Sequence, residues 1–145
     1  MFKHILLPTD GSSLSQAAIQ KGIQLAKGMK AKITGISVMP EGKFYMYETE
    51  INMQEKEEIV KQHQQQANLN LAVIEEAAKA AGVPCQTLCG IRDHPYEAII
   101  SVAEKNGCDL IMMASHGRSG VKALLLGSET QKVLTHSKIP VLVYR

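Results

Sequence analysis

The sequence has no long apolar run and no strong excess of charge. No stretch approaches the roughly 20 apolar residues that span a bilayer, and 16 basic residues nearly balance 14 acidic ones, for a formal charge of +2. Such a balance gives no basic surface for nucleic acid or an anionic membrane, so we expect neither as a partner. The first predicted strand begins almost at Met1, which leaves no room for a signal peptide. We therefore expect a cytoplasmic protein.

Cysteine is scarce, and the three cysteines include no CxxC pair. If residues 85–89 form a strand, Cys85 and Cys89 lie about 13 Å apart. That separation excludes both a disulfide and a shared metal ion. We expect these two residues and Cys108 to be reduced and structural.

Several signatures of known sites are also missing. The sequence contains no GxxxxGKS/T loop, no GxGxxG fingerprint, no GxSxG elbow and no SGGxDS loop. Their absence argues against a P-loop, a dinucleotide fingerprint, a serine hydrolase and a pyrophosphatase loop. The histidines at 4, 63, 94 and 136 are scattered, so we expect no metal site made of side chains.

Five segments predict strands. The runs Lys3–Pro8 and Leu110–Ala114 have consecutive aliphatic residues, a pattern typical of interior parallel strands. Weaker candidates are Lys32–Val38, Pro84–Cys89 and Pro140–Tyr144.

Helical periodicity fills the intervals between the strands. One helix carries a stripe of apolar residues, Leu14, Ala18, Leu25 and Met29. A long helix is expected from Gln54 to Ala81, with Gly82 as its stop and an apolar face made of Leu71, Ile74 and Ala78.

Two shorter helices are predicted from their first residues. Pro95 suits the first position of one. Ser128 and Gln131 match a capping box, with serine as N-cap of the last helix. The order β-α-β-α-β-α-β-α-β predicts an α/β fold with a doubly wound parallel sheet. We expect one Rossmann-like domain over residues 1–145.

Two further segments allow only general interpretations. Residues 40–53 form a longer connection, which could be a lid or simply mobile surface. The polar stretch Gln62–Gln66 is interpreted as a solvated helix face.

Glycine and hydroxyl residues follow the first and fourth strands. They occur in Pro8–Ser13, in Ala114–Gly120 and in Leu124–Ser128 before the last helix. Ligands bind at the carboxyl ends of an open α/β sheet, where glycines admit close approach and a helix N-terminus favours anions. The pattern indicates a phosphate-binding site. Asp10 could instead be a plain turn residue, although its position at the end of a central strand favours a functional role. The glycines and Ser128 could serve loop conformation or capping alone.

At these residues the chain resembles the universal stress protein family over nearly its whole length. The similar segments are KHILLPTDGS, DLIMMASHGRSG and LLLGSETQKVLTHSKIPVLVYR. ATP-binding members carry the pattern G-x2-G-x9-G-S/T. Here the spacing is kept by Ala114, Gly117, Gly127 and Ser128, with alanine at the first glycine. Because Ala114 ends a strand, its φ is expected to be negative, and alanine is then sterically permitted.

The resemblance implies ATP, or ADP or AMP, as ligand. It assigns Asp10 to the ribose and the Val38 backbone to the adenine. It assigns the phosphates to Gly117, Gly127, Ser128 and the Glu129 amide, with Pro8, Thr9 and Met113 along the pocket. Magnesium or manganese would be held mainly by phosphate oxygens and water. The resemblance also implies the strand order 3-2-1-4-5 and a homodimer through residues 140–145.

Three functions remain open at this point. The chain could be a nucleotide-binding, dimeric stress-response regulator, or a dimeric interaction module that has lost the nucleotide, as Ala114 suggests. It could also be an enzyme, an ATPase or a nucleotidyl-transfer catalyst. No obvious general base lies beside the predicted phosphates, so any hydrolysis should be slow. His116 and Arg118 could contact the nucleotide or merely face water.

Overall fold

The computed structural model describes residues 1–39, 52–117 and 125–145. Its elements are β1 (His4–Pro8), α1 (Ser13–Met29), β2 (Lys32–Met39), α2 (Met53–Ala81), β3 (Cys85–Ile91), α3 (Pro95–Lys105), β4 (Leu110–Ala114), α4 (Ser128–His136) and β5 (Val141–Tyr144). They form a parallel sheet of five strands in the order β3-β2-β1-β4-β5. The predicted fold class and strand order are confirmed.

The two strands with consecutive aliphatic residues lie inside the sheet. β1 pairs with both β2 and β4, and every residue of β4 is buried. One apolar cluster packs α1 and α2 against the sheet, with Ile19, Ile33 and Ile74 at its centre. The other packs α3 and α4 on the opposite face. Interior parallel strands are covered by helices on both faces, which explains their continuous apolar sequence.

The buried face of α1 is offset from the predicted stripe. Ala18, Ile19, Ile23 and Ala26 are buried, whereas three members of that stripe, Leu14, Leu25 and Met29, are only half-buried. The apolar face predicted for α2 is confirmed, since Leu71, Ile74 and Ala78 are all buried.

The ends of α2 and α3 follow local rules. Gly82 ends α2 with φ 71°, in the left-handed region that favours glycine. At the other end Asn52 and Glu55 form a reciprocal capping box, so α2 begins at Met53, one residue before the prediction. Pro95 opens α3 as expected.

The chain's thiols are all free. Cys85 and Cys89 are half-buried in β3, and Cys108 is buried. Burial raises the pKa of Cys85 and that of Cys108 to about 11 in each case, so both thiols stay protonated near neutral pH.

Within the described ranges, no helix is long and apolar enough to cross a membrane. The possible lid at residues 40–53 lies almost wholly outside the described residues, as do Arg118 and Gly120.

Candidate functional site

A cavity of about 660 Å³ lies at the carboxyl ends of β1, β2 and β4. This is the edge at which open α/β sheets bind ligands. Ten residues were assigned to the site from the sequence, and all of them line this cavity: Pro8, Thr9, Asp10, Val38, Met113, Ala114, Gly117, Gly127, Ser128 and Glu129. The fold brings four separate parts of the chain to one place.

The turn after β1 is fixed by hydrogen bonds. The Thr9 N–H donates to the Ile36 carbonyl at 2.9 Å, which ties the turn to β2. The exposed Asp10 carboxylate accepts from the Ser12 N–H at 2.9 Å. Gly11 has φ 78°, a conformation that glycine adopts readily. Asp10 is therefore both a turn residue and a carboxylate at the cavity wall.

The start of α4 is bound to the end of β4. The Gly127 N–H donates to the Ser115 carbonyl at 2.7 Å, and the buried Thr130 hydroxyl donates to the Ala114 carbonyl at 2.9 Å. Ser115 in turn donates its N–H to the Tyr144 carbonyl of β5 at 2.8 Å. These bonds hold the first turn of α4 against the cavity.

Gly117 and Gly127 allow close approach between these segments. Neither has a positive φ. A Cβ on Gly117 would lie 2.1 Å from Asp10 Oδ2, and a Cβ on Gly127 would lie 3.1 Å from the Cα of His116. A side chain at either position would force its neighbour to move. Ala114 likewise has no positive φ, so its alanine is sterically permitted, as expected.

The predicted capping box at Ser128 is wrong. α4 begins at Ser128, and Gly127 occupies the N-cap position without a side-chain cap bond. The Gly127 carbonyl accepts the first helical bond, from the Gln131 N–H at 3.0 Å, as the carbonyl of an N-cap residue does. The Gln131 side chain donates instead to the Leu126 carbonyl at 3.0 Å. The Ser128 hydroxyl is thus not needed as a cap.

The first turn of α4 has the properties of an anion site. Ser128, Glu129 and Thr130 all line the cavity, and first-turn N–H groups have no intrahelical acceptor and carry partial positive charge. The Glu129 carboxylate accepts from the Tyr96 N–H at 2.9 Å, at the start of α3, and pairs with Lys132 at 3.3 Å. Glu129 therefore links α4 to α3, a contact between distant residues that the sequence did not reveal.

α2 supplies a wall of the cavity that was missed. His63, Gln66, Ala67 and Asn70 line it. His63 and Gln66 are exposed, as expected of a solvated face, but this face also borders the cavity. The signal was their position on the helix. These residues recur at spacings of three and four and lead into the buried stripe that begins at Ala67 and Leu71.

The side chain of His116 also lines the cavity. Its Nδ1 lies 3.2 Å from the Ser115 hydroxyl. In the described parts of the chain, no three His, Cys, Asp or Glu residues are grouped closely enough to hold a metal ion.

Comparison with known proteins relates the whole chain to one family. The sequence model of the Universal stress protein family matches residues 1–145. Universal stress protein MJ0531 of Methanocaldococcus jannaschii is 33% identical over 147 residues, which cover 100% of this chain and 83% of that protein.

Solved structures share the fold. The structure of protein MJ0577, from the same organism, has a TM-score of 0.79 and 28% identity and covers 99% of this chain and 95% of its own. A universal stress protein in complex with cAMP has a TM-score of 0.65 at 23% identity, covering 99% of this chain and 97% of its own. One from Archaeoglobus fulgidus in complex with dAMP has a TM-score of 0.68 at 14% identity, covering 100% and 98%.

Proposed function

Because the chain belongs to the universal stress protein family, we propose that it binds an adenine nucleotide, ATP in particular, and acts as a homodimeric stress-response regulator in the cytoplasm. Residues 1–145 would form one nucleotide-binding domain. The observation that carries the proposal is the close approach of Gly117 to Asp10 and of Gly127 to His116, directly in front of the first turn of α4. Glycine backbone next to a helix N-terminus suits a phosphate group.

The ligand would lie along the edge of the sheet. The Val38 backbone would meet the adenine and Asp10 the ribose. Phosphates would be held at Gly117, Gly127, the Ser128 hydroxyl and the Glu129 amide. The side of the cavity near Pro8, Thr9, Met113 and Ala114 would enclose the middle of the nucleotide. Glu129 suits this role because its amide lies in the first turn of α4, where N–H groups have no intrahelical acceptor. Its carboxylate is bound to Tyr96 and Lys132.

Magnesium or manganese would accompany ATP, held mainly by phosphate oxygens and water. The donor set fits this arrangement, since Asp10 offers a carboxylate at the wall while no side-chain cluster for a metal occurs among the described residues. The ion would neutralise phosphate charge.

Adenine nucleotides are bound by two proteins of the same fold, with cAMP and dAMP. Both are below 25% identity to this chain, so they support adenine-nucleotide binding only through the shared fold. Isothermal titration calorimetry with ATP, ADP and AMP, each with Mg²⁺, tests the proposal directly. Binding of ATP is expected. No heat for any of the three nucleotides would reject it.

The second candidate is a dimeric interaction module that no longer binds nucleotide. Ala114 favours it, because the family pattern has glycine there and the alanine methyl could keep the ribose from the backbone. Ala114→Gly should raise ATP affinity if the methyl crowds the ligand. A wild-type protein and an Ala114→Gly variant that both fail to bind ATP would favour the interaction module.

Any hydrolysis should be slow, because the sequence offers no obvious general base beside the proposed phosphates. A phosphate-release assay against a Ser128→Ala control tests this. Rapid turnover that depends on Ser128 would contradict a purely regulatory role.

The homodimer would form through residues 140–145. β5 is the last strand of the sheet and pairs only with β4 among the described strands. Its Leu142 side chain is 40% exposed. An open apolar edge invites pairing, and a twofold axis beside it would join two copies of β5 antiparallel.

A further inference from the structure

Two carboxamides on α2 lie side by side on the wall of the cavity. Gln66 Nε2 donates to Asn70 Oδ1 at 3.0 Å, and both residues line the cavity. This bond uses one donor and one acceptor. The Gln66 carbonyl oxygen and the Asn70 amino group keep their capacity to bond. If both amides were turned over, the pair would still offer one acceptor and one donor.

This amide pair lies at one end of the cavity. α2 packs on β2, where Ile74 contacts Gly35 closely, and the end of β2 at Val38 lines the same cavity. The phosphate-binding features lie beyond β4, which is separated from β2 by β1. Neighbouring strands are about 4.8 Å apart, so the two ends are about 10 Å apart. A nucleotide that spans them would place its base near α2.

We propose that Gln66 and Asn70 select adenine over bases that carry an oxygen at position 6. The inference rests on the proposed function and adds base selectivity to it. At positions 6 and 7 adenine presents its N6 amino donor beside the N7 acceptor, and a carboxamide acceptor and donor match this pair. Hypoxanthine and guanine present two acceptors there, O6 and N7. An amide pair that keeps its own hydrogen bond offers one donor and one acceptor in either orientation, so one of its oxygens would face another acceptor.

The same helix carries a matched control. Gln64 Nε2 donates to Asn68 Oδ1 at 2.9 Å with the same spacing, but neither residue lines the cavity. Such pairs stabilise helices slightly wherever they occur. A purely helical role would make the two pairs equivalent, whereas a role in base recognition requires only the pair at residues 66 and 70.

The experiment measures dissociation constants for MgATP and MgITP by calorimetry. The proteins are the wild type, Asn70→Leu, Gln66→Leu and the control Asn68→Leu. Loss of a matched base contact should lower the preference for ATP over ITP by about 5- to 150-fold in the first two variants. Asn68→Leu should keep the wild-type preference. Thermal melting verifies folding, and Gln66→Leu, at an exposed position, decides the matter if Asn70→Leu does not fold.

Each outcome has a distinct meaning. An unchanged preference in both cavity variants, or an equal loss in Asn68→Leu, would overturn base selection by α2 while ATP binding stands. Equal affinity of the wild type for ATP and ITP would overturn it as well. A wild type that binds no adenine nucleotide would instead reject the proposed function, and the selectivity with it.

Discussion

Leu142 and Val143 are neighbours in β5, and their N–H groups point to opposite sides of the strand. The carbonyls of Pro140 and Tyr144 both accept hydrogen bonds from the β4 side, at 2.9 and 2.8 Å. Backbone groups alternate in direction from one residue to the next along a strand, so the N–H and carbonyl groups of Leu142, midway between Pro140 and Tyr144, also point to β4. The N–H of Val143 then faces the outer edge, where the second subunit is proposed to bind. Proline, which has no N–H, should act differently at the two positions.

Leu142→Pro should destabilise the fold itself. Ile111 of β4 is the register partner of Val141, so the Leu142 N–H lies opposite the Ile111 carbonyl. Ile111 is 0% exposed. A buried carbonyl left without a donor costs about 1–3 kcal/mol. In a chain near this length, each kcal/mol corresponds to a fall of about 2–4 °C in Tm. Val143→Pro removes only an N–H group that points away from β4. The Tm of its monomer should therefore be close to that of Val143→Ala.

Sedimentation velocity and thermal melting over a concentration series measure both effects. Leu142→Ala and Val143→Ala are the matched controls, because they remove side-chain packing while keeping the N–H. We expect Val143→Pro to sediment as a folded monomer whose Tm does not depend on concentration. We expect Leu142→Pro to melt below Leu142→Ala.

Two results would refute this reasoning. If both proline variants remain dimers of unchanged affinity, the interface does not involve the β5 edge. If the wild type is monomeric at every concentration, the homodimer itself is wrong.

Three further changes test the site and the core. Gly117→Ala should weaken ATP binding by about 10- to 150-fold, because the new Cβ would lie 2.1 Å from the Asp10 carboxylate and displace it. The control is Gly28→Ala, where a Cβ meets nothing within 4 Å, and calorimetry should show unchanged ATP affinity for it. Equal ATP affinity of the two variants would place the ligand elsewhere. Ser128→Ala should also weaken ATP binding by about 10- to 150-fold. It should leave Tm unchanged, because the Ser128 side chain makes no cap hydrogen bond. A lower Tm with unchanged ATP affinity would contradict a role of Ser128 in ligand binding. The pKa of His4 is lowered, first by burial and then by a nearby lysine, from 6.5. As the pH falls below 6.5, His4 takes up a proton more readily in the unfolded chain than in the folded protein. The contribution of neutral His4 to the free energy of unfolding is therefore complete above pH 6.5 and is lost below it. Melting in this range should show a flatter pH dependence for His4→Gln, and parallel curves for the two proteins would rule His4 out.

Local sequence was sufficient for the elements and their order. The consecutive aliphatic residues of β1 and β4 predicted interior strands because such runs require burial on both faces. Gly82 and Pro95 marked helix ends because their backbone preferences act within a few residues. The ten site residues that the family resemblance implied all line the one cavity at the carboxyl ends of the strands.

Long-range contacts decided the rest. The N-cap of α4 lies at Gly127, whose N–H is bound to the Ser115 carbonyl twelve residues earlier in the chain, and not at Ser128, where the local capping pattern placed it. The α2 wall at Gln66 became part of the cavity only through packing of that helix on β2. The outward direction of the Val143 N–H was likewise set by register, because β4 fixes which side of β5 is paired. Sequence patterns report preferences over a turn or a strand, whereas these features depend on which distant residues the fold places opposite them.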